Sequence, residues 1–85
     1  VRQLASLAQD VAVLYGVKVP PVSHGPCVGA PLREVPLPER FILAAIQRGD
    51  RVYVPGADDT AEPGDDVIVA GPPGIQKELG WLFGL

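Results

Sequence analysis

A chain of 85 residues in which 47% are apolar and 20% charged has the composition of one folded domain, not of a disordered tail. Seven Lys plus Arg against ten Asp plus Glu give a formal net charge of -3, which leaves no broad basic surface to hold a nucleic-acid backbone. The single Cys27 excludes an internal disulfide and fits a reducing compartment, no apolar run approaches the roughly 20 residues that span a bilayer, and no signal-peptide layout opens the chain.

From Val1 to Tyr15 the apolar residues fall at helical spacing, with Leu4, Leu7, Val11 and Leu14 in one stripe and Val1, Ala5, Ala8, Ala12 and Tyr15 in the next. This predicts an N-terminal helix over 1–16, with Gly16 as its C-cap. Its double stripe either covers the chain's own core or faces another subunit or a preceding domain. Val17 to Val22 reads as a short strand broken by Pro20 and Pro21, which points to a sheet edge. The Pro- and Gly-rich stretch from Ser23 to Pro38 has room for one helical turn around Leu32 to Val35. The absence of methionine and the start at Val1 read as a piece of a larger polypeptide.

Arg40 to Gln47 is a continuous apolar run of strand length, and Arg51 to Pro55 follows it across Gly49 and Asp50 as a hairpin partner. After an acidic loop from Gly56 to Gly64, Asp65 to Gly71 reads as a further strand, so that three strands form an antiparallel meander. Pro72 and Pro73 suit the first turn of a helix on which Ile75, Leu79, Leu82 and Phe83 share a face, with Trp81 beside them. The predicted fold class is α+β: a small, mostly antiparallel sheet of about four strands with flanking helices.

Catalysis needs groups that converge, and the chain offers one histidine, one cysteine and few hydroxyls. His24 and Cys27 stand three apart in a loop, but a zinc site needs more such ligands, so a loop histidine and a small buried cysteine are expected. Asp58, Asp59, Glu62, Asp65 and Asp66 crowd one loop without EF-hand spacing and read as a solvated turn. Arg48-Gly49-Asp50 is explained by its hairpin turn. Gly71-Pro72-Pro73-Gly74 lacks the Lys, the Ser/Thr and the N–H donors of a phosphate loop. The expectation is a non-enzyme with no catalytic residue, no metal and no resident cofactor.

From about Ser23 onward the order of residues resembles the RCK_C domain, also called the TrkA C-terminal (TrkA-C) domain. The likeness runs through Val28-Gly29, Leu32-Arg33-Glu34, Phe41 to Arg48 leading to Gly49, Val54-Pro55, Pro63-Gly64-Asp65 and Val67-Ile68-Val69 before Gly71. The helix expected over 1–16 then reads as a connecting helix, and the resemblance implies an RCK_C-like regulatory domain over 17–85, from which the first, proline-broken strand departs. It also implies a cytoplasmic domain, peripheral to the membrane, that regulates a potassium or other cation uptake system or channel. The partners implied are a second copy in a homodimer, a membrane channel or transporter subunit, and an upstream nucleotide-binding domain in the same polypeptide or complex, with no nucleic acid. Some members of the family bind cyclic di-AMP between two such domains, and the matching positions here are Leu32, Arg33, Arg40 and Phe41; the sequence departs from the family pattern at Pro38 and Glu39. Three alternatives stay open: a regulatory domain of a cation/proton antiporter or other transporter, a small β-rich dimeric DNA-binding regulator, and a fragment of an enzyme.

Overall fold

Val13, Tyr15, Val17 and Val19 recur at every second position and are each at most 1% exposed, the period of a strand with one buried face. The computed structural model describes residues 1–8 and 11–85 and forms strand β2 over Ala12–Lys18, paired antiparallel with strand β1 at Arg2–Leu7. A hairpin thus replaces the helix expected over 1–16, whose positions Gln9 and Asp10 lie outside the described residues. Both faces of β2 carry apolar side chains, so helical spacing arises by coincidence, and the β-branched and aromatic content decides for strand. The strand expected from Val17 to Val22 begins earlier, ends at Lys18 before Pro20 and Pro21, and lies inside the sheet instead of at its edge.

A 3₁₀ turn at Leu32–Glu34 forms where one helical turn was expected. Strands β3 (Ile42–Arg48) and β4 (Arg51–Tyr53) make the expected hairpin, and Gly49 takes a φ of 60° in its turn. Strand β5 follows at Asp66–Gly71 and helix α1 at Gln76–Leu82. The prolines at 72 and 73 precede α1 rather than forming its first turn. The sheet has five strands in the order β1-β2-β5-β3-β4, with antiparallel neighbours. The expectation of about four strands with flanking helices is corrected to five strands and one α-helix among the described residues. No meander forms, because β5 inserts between β2 and β3 and leaves β4 at an edge.

One face of the sheet builds the core. Val13, Tyr15 and Val17 of β2, Val67 and Val69 of β5 and Ile46 of β3 pack with Ile75, Leu79, Leu82 and Phe83 around α1, and Val19, Cys27 and Ala61 close the cluster. The Ser23 hydroxyl donates to the Phe83 carbonyl at 2.7 Å and the Cys27 N–H to the Leu82 carbonyl at 2.9 Å. Both bonds satisfy carbonyls that the helix end leaves without an internal donor. The strap runs so close to α1 that a Cβ on Gly25 would stand 2.5 Å from the Phe83 carbonyl carbon and 2.6 Å from the Leu82 oxygen. Across the sheet, the Tyr15 hydroxyl donates to the Pro72 carbonyl at 2.8 Å and ties β2 to the approach to α1.

The other face has no layer on it among the described residues. By register it carries Leu7 of β1, Leu14 of β2, Ile68 of β5, Ile42 of β3 and Val52 of β4, and Leu4 lies over Gly16 on the same side.

Candidate functional site

The 3₁₀ turn that bears Leu32 and Arg33 is held by backbone bonds to the acidic loop. Leu32 N–H donates to the Asp59 carbonyl at 2.9 Å and Arg33 N–H to the Ala57 carbonyl at 3.0 Å. Gly29, at a φ of 83°, provides the turn that leads into it. The Arg33 guanidinium forms ion pairs with Asp58 and, at 3.5 Å, with Glu34, and all three side chains are more than half exposed. Exposed pairs of this kind are worth at most about 1 kcal/mol, so an incoming anion could displace them.

Arg40 and Phe41 stand at the start of β3. Phe41 donates its N–H to the Pro38 carbonyl at 2.9 Å and packs its half-buried ring against the core. Arg40 is exposed, makes no ion pair with a described residue, and lines a groove of about 470 Å³ with Val11, Glu39, Ile42, Ala70 and Pro72. Leu32 and Arg33 therefore hang on the acidic loop, and Arg40 and Phe41 on the end of β5. No hydrogen bond or ion pair among the described residues joins the first two to the second two.

Sequence reasoning missed the pair of Asp65 and Arg48. Asp65 is 2% exposed, unlike its solvated loop neighbours. Arg48 holds its carboxylate with a fork, Nε at 2.9 Å from Oδ1 and the terminal nitrogen at 2.8 Å from Oδ2, and donates further to the Thr60 carbonyl at 3.0 Å. The Glu62 N–H also donates to Asp65 Oδ2 at 2.9 Å. Burial pushes the Asp65 carboxyl up, but the hydrogen bonds from Arg48 and Glu62 and the charges of Arg48 and Lys18 together bring it below the ordinary range. The same hydrogen bond raises the Arg48 guanidinium. The fork closes the acidic loop onto the end of β3. The motif Pro63-Gly64-Asp65 signalled the turn, with Gly64 at a φ of 88°, but not the burial of its last residue.

Cys27 is fully buried, and burial pushes its thiol up to about 11, the opposite of what a nucleophilic thiolate needs. His24 is exposed. Among the described residues no group of three His, Cys, Asp or Glu is placed to hold a metal ion, and no helix is long and apolar enough to cross a membrane.

The open sheet face carries several exposed apolar side chains. Leu4 is 41% exposed, and Ile42 and Val52 are each 63% exposed. Exposed apolar residues that share one face of a sheet make it a candidate interaction surface. A TrkA-C domain model matches residues 14–84, which runs from within β2 to α1 and omits β1. The chain belongs to the TrkA-C domain family. It is also 35% identical, over 97 aligned residues, to the Trk system potassium uptake protein TrkA of two strains of Mycobacterium tuberculosis. The alignment takes in 96% of the chain but 44% of that relative, so this TrkA-C chain spans less than half the length of the curated proteins it matches. Within the TrkA-C match lie Leu32, Arg33, Arg40 and Phe41, the Arg48–Asp65 fork and most of the open face.

Proposed function

We propose that the chain is a cytoplasmic regulatory domain of a potassium-uptake system, acting as a homodimer that relays ligand occupancy to a membrane transport partner. The observation that carries this reading is the TrkA-C match over 14–84, joined to the 35% identity with a protein named for potassium uptake. In this reading an upstream nucleotide-binding domain stands in the same polypeptide or complex, and the domain reaches the membrane through the transporter alone.

The open face supports a second copy as the dimer partner. A stable interface needs about 800 Å² from each copy, roughly a sixth of the 5150 Å² of accessible surface that the chain presents. A sheet face on a molecule measuring 33 × 25 × 22 Å can supply that area. Its two ends each carry both signs of charge, Lys18 with Asp66 at one and Arg40 with Glu39 at the other. A two-fold axis can then bring unlike charges together at the rim.

An anionic effector of the cyclic di-AMP type is the ligand that the family resemblance favours, with Arg40 as its uncommitted cation and Arg33 released from Asp58 and Glu34. The test is the thermal unfolding midpoint of the chain at known dimer content, with and without cyclic di-AMP. A ligand at about 100 times its dissociation constant adds roughly 2.7 kcal/mol. A clear upward shift that disappears in Arg40→Ala supports sensing in this domain. An unchanged midpoint overturns it and leaves a dimerisation and coupling module whose ligand is sensed elsewhere in the protein.

A further inference from the structure

The turn between β1 and β2 runs from residue 8 to residue 11 and closes with the Val11 N–H donating to the Ala8 carbonyl at 3.3 Å. Ala8 is held there at a φ of 51°, the one non-glycine residue at positive φ among the described residues. That conformation crowds the Cβ against the following carbonyl, so turns that need it usually carry glycine or asparagine. Residues 8–11 contain neither. The tip of the hairpin is also apolar, with Leu7 49% and Val11 74% exposed. Backbone strain and exposed apolar surface thus meet in the same short segment.

By its backbone, β1 pairs with β2 alone. None of its residues belongs to the core cluster, and all but Ala5 are exposed. Its fitted contact is Leu4, which the register shift between Gln3 and Ala5 seats over Gly16, where a Cβ would stand 3.3 Å from the Leu4 Cδ2. The ladder and this contact join β1 to β2 and to nothing beyond the pair. The β1 of a second copy can therefore make the same ladder and place its own Leu4 over Gly16. Only the hinge at residues 8–11 would change, and short hinge loops under strain favour such an exchange. Both β1 and its hinge precede the residues that the TrkA-C model matches.

We infer that two copies of the chain exchange β1, each β1 pairing with the β2 of the other copy in the register seen within the single chain. The exchange extends residues 8–11 and releases Ala8 from its positive φ in both copies. The two hinge segments then run past one another, and Leu7 and Val11 of each copy cover those of the other. The proposal rests on the homodimer reading and adds to it a strand of the partner that completes the edge of each sheet. The exchanged strand and the open face are different surfaces, so either can fail without the other.

The experiment places cysteines at Ala5 and Leu14, which stand directly opposite one another on β1 and β2, within disulfide reach. Cys27 is fully buried and stays in place. The double variant is oxidised at concentrations where sedimentation equilibrium shows the native chain as a dimer, and is then run on a denaturing gel without reductant. Exchanged strands give a dimer-sized band, while Ala5→Cys and Leu14→Cys alone stay chain-sized. A dimer-sized band from either single variant overturns the exchange. A chain-sized band from the double variant also overturns it but leaves the open-face dimer standing, and a native chain that is monomeric at every concentration overturns both. Ala8→Gly relieves the turn of the closed hairpin, so its dimer should dissociate about tenfold more readily than the native one. An equally tight dimer from Ala8→Gly would count against the exchange as well.

Discussion

Asp65 sits in the core with its charge intact because Arg48 and the Glu62 amide donate to both of its oxygens. Asp65→Asn would leave the Arg48 guanidinium without its counter-charge, and the expected loss is about 2–3 kcal/mol in urea unfolding at neutral pH. The acid dependence follows from the lowered carboxyl. A depressed folded-state value gives stability that is fully present above the unfolded value, near 3.9 for Asp, and is lost as pH falls through the folded value. Unfolding midpoints should therefore fall more steeply below about pH 4 in the native chain than in Asp65→Asn; parallel acid profiles would show that Asp65 is not the group responsible. Gly25 is constrained by space. Gly25→Ala places a methyl group 2.6 Å from the Leu82 oxygen, and the strap must move off α1 at a cost of about 2 kcal/mol or more. Its thermal midpoint should drop while the Ala variant of the unobstructed Gly29 loses only what its positive φ costs.

At the level of elements, the second half of the chain was legible because each segment carried one clear period. Arg40 to Tyr53 showed a strand-length apolar run, a Gly-Asp turn and a partner. Asp65 to Gly71 showed a strand bounded by turns, and Ile75, Leu79, Leu82 and Phe83 showed a helical face. The first 16 residues carried two periods at once. Leu4, Leu7, Val11 and Leu14 satisfy a helix, and Val13, Tyr15, Val17 and Val19 satisfy a strand. The second series continues past Gly16 into a segment read separately, so splitting the chain at that glycine concealed it. The burial of α1 is one-sided, and a pair of variants tests it. Leu79→Ala removes a fully buried side chain and should cost about 3 kcal/mol, whereas Trp81→Ala, at a position 67% exposed, should cost less than about 0.5 kcal/mol. Comparable losses would mean that Trp81 is covered in solution by something beyond the single chain.

At the level of the whole molecule, the single copy presents a sheet with helix α1 on one side and, among the described residues, no layer on the other. If that bare side is the dimer face, Leu14→Asp or Ile42→Asp should convert a dimer to a monomer in sedimentation equilibrium while the folded spectrum is kept, since neither side chain belongs to the core cluster. A chain that is monomeric before mutation would remove this role for the face. The candidate ligand residues Leu32, Arg33, Arg40 and Phe41 were named from family likeness, and residue pattern alone offers no signal that would group them. Leu32 and Arg33 reach their places through backbone bonds to residues 57 and 59, and Arg40 through its position beside the end of β5, long-range relations that have no local period. The order β1-β2-β5-β3-β4 also governs how the chain assembles in time. Synthesis delivers two hairpins first, 2–18 and 42–53, and the strand that joins them comes last. Until residues 66–71 arrive, β2 and β3 each expose an unpaired edge, and the two edges can pair with each other in error. The expected consequence is that the sheet closes only when β5 pairs with both hairpins, so that a nascent chain is most open to capture by a neighbour's strand in the interval just before it.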